Sequence, residues 1–423
     1  MRNKWYRLDN AALIFPAVMH RHWSNAFRVS VTLSEPIDLL ALEHALQEMR
    51  YRFPTFFVRL RTGFFWHYLE EIDGDVLIGK DYAYPLTHMR KKDIRRCCIR
   101  VLYYENRIAV EFFHSVTDGH GGMVFVKNLA ASYIRYRYGV SIPFEHNILP
   151  PDETPKPDEV EDAFPECSGK YIYKEQRENV YKMHGELEQN YFLNLVTGII
   201  DTDILLEIAH SFNATITAFV AAVMIESIIR IQAYNVKEKH QKAVKVTIPV
   251  NLRRLFNKKT LRNFVLTVNV GVHPQNGEYT LAELCNQVSS QLALEVIPQK
   301  MSARIAENVK PAQHKLLRIM PLTVKHFFMD LVYRQRGESQ GCINVSNLGQ
   351  INIPKAMETY IQRFDFIIGV QYSYPNNCSI VSFGNKTYIN MIRNTKKAEL
   401  ERVFFSRLVE LGIPVKIESN SID

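Results

Sequence analysis

Between residues 26 and 33 the chain alternates, with Phe27, Val29, Val31 and Leu33 set against Arg28, Ser30 and Thr32. A period of two predicts a half-buried strand. From Asp38 the period lengthens: Leu39, Leu42, Leu46 and Met49 recur at helical spacing, and Phe53-Pro54 ends the run. Asp38 is a suitable cap for a helix reaching about Arg50. Strands are expected over Phe56 to Leu60 and Phe64 to Leu69, with a turn at Asp73-Gly74. Cys97 to Tyr104 and Arg107 to Phe113 are two apolar runs separated by Glu105-Asn106, the pattern of a two-residue hairpin. A helical segment, Met123 to Tyr138, closes at Gly139.

The segment Pro143 to Gly169 breaks this rhythm with six prolines and an acidic run. It predicts a linker or surface crossover, dividing the chain into lobes at 1–165 and 166–423. Beyond it, Asp201 or Thr202 caps a helix to about Phe212, and Thr215 caps an almost wholly apolar one to Gln232. Strands are expected at Val244 to Val250, from Val265 to Val272, and at Cys342 to Val345, the last ending in Ser346-Asn347-Leu348-Gly349-Gln350. Leu281 to Leu331 reads as mostly helical. Phe366 to Tyr374, Ser379 to Gly384 and Tyr388 to Ile392 read as strands, and Lys397 to Leu411 as a last helix. Alternating strands and helices in both halves give an α/β class with helices packed on sheets.

Composition narrows the function. At 423 residues, 47% hydrophobic and 23% charged, the chain has the balance of a globular protein. Lysine and arginine exceed aspartate and glutamate by 52 to 44, a formal net charge of +8, which suits anionic partners. The basic residues are spread along the chain, so no nucleic-acid partner is expected. The cluster Arg90 to Arg96 reads foremost as a solvated face. Six scattered cysteines without a C-x-x-C pair suit a reducing compartment. The apolar run Ala11 to Met19 is interrupted by Pro16 and too short to span a bilayer. A cytoplasmic monomer without stable membrane insertion is expected.

The densest candidate chemistry lies in His114-Ser115-Val116-Thr117-Asp118-Gly119-His120-Gly121-Gly122. A histidine at a strand end is held firmly and can still face a cleft. Its ordinary pKa of about 6.5 leaves it largely neutral at pH 7, as a general base must be. The glycines permit close approach of backbone. The plain alternative is a satisfied polar residue at a strand end. A metal site built from His20, His22 or His120 lacks a carboxylate or cysteine at ligand spacing, and none is expected.

The loop His114 to Gly119 resembles the H-x-x-x-D-G signature of the chloramphenicol-acetyltransferase-like superfamily, which includes condensation domains and alcohol acetyltransferases. Other matches follow in order: Glu35-Pro36-Ile37-Asp38 and the helix ending in Phe53-Pro54, then Val250-Asn251-Leu252-Arg253, then Asn263-Phe264. Ser346-Asn347-Leu348-Gly349 resembles the S-N-x-G stretch of the alcohol acetyltransferase branch. Phe113 stands where many condensation domains carry a first histidine, and the D-F-G-W-G motif of the plant-type branch is absent.

The resemblance implies two α/β sandwich lobes with an active-site tunnel between them. It implies a base at His114 and a structural Asp118, followed by Gly119 and paired with an arginine, for which Arg253 matches best. Ser346 and Asn347 become candidates for lining the tunnel or steadying an oxyanion. The implied activity is acyl transfer from acyl-CoA, a co-substrate rather than a bound cofactor, to a small alcohol. The alternatives are a condensation-type enzyme with an acidic acyl carrier protein as donor and an amine or hydroxyl acceptor, and a non-catalytic thioester-binding relative.

Overall fold

The computed structural model describes residues 4–19, 25–74, 76–82, 84–171, 173, 178–314, 319–332, 340–371 and 374–421. Ala26–Leu33 is a strand as its alternation predicts, but seven of its eight residues are buried, so its polar Arg28 and Ser30 do not face water. Arg28 is instead held between Asp81, at 2.9 Å, and Glu111, at 2.7 Å, in a buried ion network. Period two marks a strand and cannot distinguish a solvated face from one lined with paired charges.

This strand lies inside a five-stranded sheet ordered Ile361–Ile368, Ala26–Leu33, Arg107–Phe113, Ile99–Tyr104, Ile78–Lys80. The expected hairpin is present, with Tyr104 opposite Arg107 across two loop residues. The edge strand Ile361–Ile368 comes from the far end of the chain and runs antiparallel to Ala26–Leu33, with Phe366 opposite Val29. It begins earlier than the expected Phe366 to Tyr374.

A seven-stranded sheet is ordered Val265–Val272, Val244–Asn251, Ile343–Ile351, Asn376–Phe383, Lys386–Arg393, Asn194–Asp201, Lys416–Ser419. Ser346 to Gln350 is not a turn after the strand, as its Asn-Leu-Gly composition suggested. It continues Ile343–Ile351 through a register shift between Asn347 and Gln350, where Gly349 has a φ of +74°. A small sheet of Trp5–Arg7, His67–Glu71 and Val58–Thr62 completes the set among the described residues.

Helices cover both large sheets, making the class α/β. Asp38 caps Leu39–Arg52 by accepting from the Ala41 N–H, and Thr215 caps Ile216–Asn235 by accepting from Ala218. The latter helix is long and apolar enough to cross a membrane by length and composition, yet 67% of its apolar window is buried in the second sheet's core. The proline-rich stretch is no solvated tether. Ile148, Ala163 and Phe164 are buried, and Glu159 forms a bidentate ion pair with Arg52 at 2.8 and 2.9 Å.

Candidate active site

The buried strand Arg107–Phe113 delivers His114, and Asp118 caps the helix Gly119–Tyr138 by accepting from the Gly121 N–H at 3.1 Å. The glycines answer specific crowding. A Cβ at Gly121 would collide with the Leu261 carbonyl and the Thr117 hydroxyl, which itself donates to Leu261 at 2.6 Å. At Gly119 a Cβ would come within 2.9 Å of the Phe366 ring and 3.1 Å of Leu348. These contacts draw together the His114 loop, the 260–264 segment and the Ile343–Ile351 strand.

Asp118 faces Arg253, which follows the strand Val244–Asn251 of the other large sheet. Arg253 donates to the two Asp118 oxygens at 2.9 and 3.1 Å, with both side chains buried. Its remaining donors reach the Thr260 carbonyl at 2.6 Å, the Asn251 side chain at 3.1 Å and the Arg262 carbonyl at 2.5 Å. All five guanidinium N–H groups are therefore used. Asp118 also accepts from the Phe264 N–H at 2.8 Å. Burial alone would raise the Asp118 pKa. The Arg253 charge, with His120 and these bonds, outweighs it and holds the carboxyl below its ordinary value.

The second chain of bonds was not legible in the sequence. His114 Nδ1 lies 3.0 Å from Asn263 Oδ1, while Asn263 Nδ2 donates to the His114 carbonyl at 2.9 Å and to Asp9 at 3.1 Å. Both latter partners are acceptors, so the amide nitrogen must face them and its oxygen must face the imidazole. Nδ1 then carries the proton, and Nε2 is left with a free lone pair. Asp9 is fully buried, and burial raises its pKa to about 6 against the pull of Arg262. The His114 ring stacks on Phe15 at 4.4 Å and meets Phe27 edge-on at 5.0 Å. Burial lowers its pKa, so the ring is neutral at pH 7. His120 is also pushed down, to about 4, first by burial and then by the Arg253 charge.

Ser346 and Asn347 sit farther along this junction. Asn347 donates to the Thr217 hydroxyl at 2.9 Å and accepts from the Gly349 N–H at 2.7 Å, so its amide ties its own strand to the helix Ile216–Asn235. Leu348, the next residue, is the one that packs against Gly119. A recess of about 520 Å³ opens beside Asp9, lined among others by Leu8, Asn10, Asp162 and Gln313. Among the described residues no group of three or more histidines, cysteines and carboxylates could hold a metal, and His20 and His22 lie outside the described residues.

Residues 177–367 match the family model for alcohol acetyltransferase. That segment, somewhat under half of the chain, is similar to alcohol acetyltransferases. The chain as a whole has the fold of solved two-lobed acyltransferase and condensation proteins. Polyketide synthase associated protein 5 from Mycobacterium tuberculosis aligns with a TM-score of 0.63 at 14% identity, covering 95% of this chain and 96% of that one. TRI101 of F. graminearum, solved with coenzyme A and T-2 mycotoxin, gives 0.65 at 9% identity over 99% and 100%. The epimerization domain from the third module of tyrocidine synthetase B gives 0.61 at 12% identity over 97% and 96%. No curated protein sequence matches. Asp9 and Asn263 belong to this candidate site by their bonds to the His114 loop, and sequence reasoning missed them. In the sequence Asn263 stands out only as part of the Asn263-Phe264 motif, and Asp9 lies 254 positions from it.

Proposed function

We infer that this acyltransferase moves an acyl group from acyl-CoA to an alcohol hydroxyl, with His114 as general base. The observation that carries the reading is the neutral His114 ring whose Nδ1–H is committed to Asn263, leaving Nε2 to accept a proton. As the acceptor oxygen attacks the thioester carbonyl, Nε2 takes its proton. The tetrahedral intermediate then expels the CoA thiolate, which recovers that proton from the imidazolium, and the ester is left. Asp118 and Arg253 hold the loop and touch no substrate in this scheme. Ser346 is the candidate for donating to the oxyanion, since Asn347 is engaged with Thr217.

TRI3 from Fusarium sporotrichioides, a trichothecene 15-O-acetyltransferase, aligns over 97% of this chain with a TM-score of 0.61 and 13% identity. It supports a hydroxyl acceptor, as coenzyme A bound to TRI101 supports the donor. The basic balance suits CoA phosphates. Six free cysteines support a cytoplasmic setting. We divide the chain near residue 165, with Ile361–Ile368 returning to the first lobe.

Thiol release from acetyl- and longer acyl-CoAs, with panels of alcohols and amines, tests the reading. Turnover is expected with alcohols. Turnover only with a carrier-bound thioester or only with amines would reject it. The pH profile gives a second check. His114 must be neutral to act, so rate falls as pH drops through its pKa, which burial sets below 6.5. We expect kcat/KM to be level at pH 7 and its acid limb to lie below 6.5. A limb centred above 6.5 would contradict this environment for His114. Asn263→Leu should lower kcat about a hundredfold, with KM little changed, because the ring loses its alignment rather than its pocket. An unchanged kcat would show that Asn263 does not position it.

A further inference from the structure

The helix Leu322–Val332 carries its apolar stripe outward. Val324, Phe327, Phe328 and Leu331, spaced i, i+3, i+4, i+7, are all exposed, Phe327 by 68%. Its other side faces the protein: Lys325 donates to the Phe65 carbonyl at 2.7 Å, and the His326 ring stacks on His67 at 5.0 Å. The helix thus docks through polar groups and presents apolar ones to solvent, the reverse of an ordinary surface helix. Its N-terminus meets the loop Gly63 to Trp66, where Leu322 N–H donates to the Phe64 carbonyl at 3.0 Å. That loop carries Phe64, 71% exposed, and Trp66, 53% exposed, on either side of the Phe65 carbonyl that holds the helix.

A basic cluster adjoins this surface. Arg90, Lys91, Lys92, Arg95 and Arg96 are all exposed. The segment that carries them returns through Cys98, whose N–H donates to the Val58 carbonyl at 2.8 Å, to the strand Val58–Thr62, which pairs with His67 beneath the docked helix. Burial, then the stacked His326, then the charges of Lys91 and Arg95 bring the His67 pKa down to about 4. Exposed phenylalanine and tryptophan next to clustered lysine and arginine match the two parts of an anionic bilayer surface: an apolar layer that accepts rings and a phosphate layer that attracts cations.

We propose that the stripe of Leu322–Val332, the Phe64–Trp66 loop and the Arg90–Arg96 cluster form a docking surface for anionic phospholipid membranes. The contact is peripheral, with side chains entering the interface and no segment crossing. It sets no requirement on the catalytic scheme and stands if that scheme fails.

Flotation of the full chain with phosphatidylcholine vesicles, with or without phosphatidylglycerol, tests it. Binding is expected to the anionic vesicles and to weaken with salt. Phe327→Glu with Phe328→Glu should cut partitioning at least about tenfold, and Lys91→Ala with Lys92→Ala by about the same factor. Circular dichroism should be unchanged, since all four side chains are solvent-exposed. Failure to float with anionic vesicles, or undiminished binding by the Phe327/Phe328 variant, overturns the proposal. So does concentration-dependent self-association that this variant abolishes in the absence of lipid, because a second copy would then be the occupant.

Discussion

His114→Ala is expected to lower acyl transfer about a hundredfold to ten-thousandfold, the range a positioned base contributes. The fold should survive: the ring lies against Phe15 and Phe27, and its loss leaves the Asp118–Arg253 pair in place. His120 is the internal competitor, two positions beyond Asp118. Its pKa is pushed to about 4, first by burial and then by the Arg253 charge, and it lacks the Asn263 bond that aligns the His114 ring. His120→Ala should therefore retain most turnover. Thiol release by the two variants side by side, with circular dichroism as a folding control, decides between them. Wild-type turnover in His114→Ala, with loss in His120→Ala, would transfer the role.

Asp118→Asn should destabilise the protein by about 3–5 kcal/mol, because a buried guanidinium would keep its charge and lose its carboxylate. An amide also turns one N–H₂ toward either Arg253 and Gly121 or Arg253 and Phe264, opposing donor to donor whichever way it flips. Arg253→Met should cost a similar amount, since the buried Asp118 carboxylate would lose its countercharge and the Thr260 and Arg262 carbonyls a donor each. The double variant should cost less than the sum, because neither charge is then left alone. Urea unfolding of the three variants measures this. A loss under about 1 kcal/mol in Asp118→Asn would mean that the pair does not lock the two sheets together.

Much of this was legible because it is local. Asp38 and Thr215 cap helices through bonds to residues three positions away, and the Glu105-Asn106 hairpin is set by its two-residue spacing. Resemblance supplied the Asp118–Arg253 pairing, which spacing alone could not, since 135 residues separate the partners. Nothing in sequence pointed to Asp9, whose role exists only once residue 263 is folded against it. Ser346 to Gly349 read as a turn by composition because glycine and asparagine favour turns. Pairing with the strand Asn376–Phe383 on one side overrode that preference and left a bulge.

The strand Ile361–Ile368 carries a consequence for biosynthesis. Its register partner Ala26–Leu33 leaves the ribosome more than 300 residues earlier. Until the late strand emerges, the nascent chain holds an apolar strand with one unpaired edge, the kind of template that captures other chains. Closing so long a loop is slow, because the entropy of joining distant segments is lost before the contacts form. The first sheet is thus completed only once residue 368 has emerged, and a chain released before residue 361 would expose that edge throughout its lifetime.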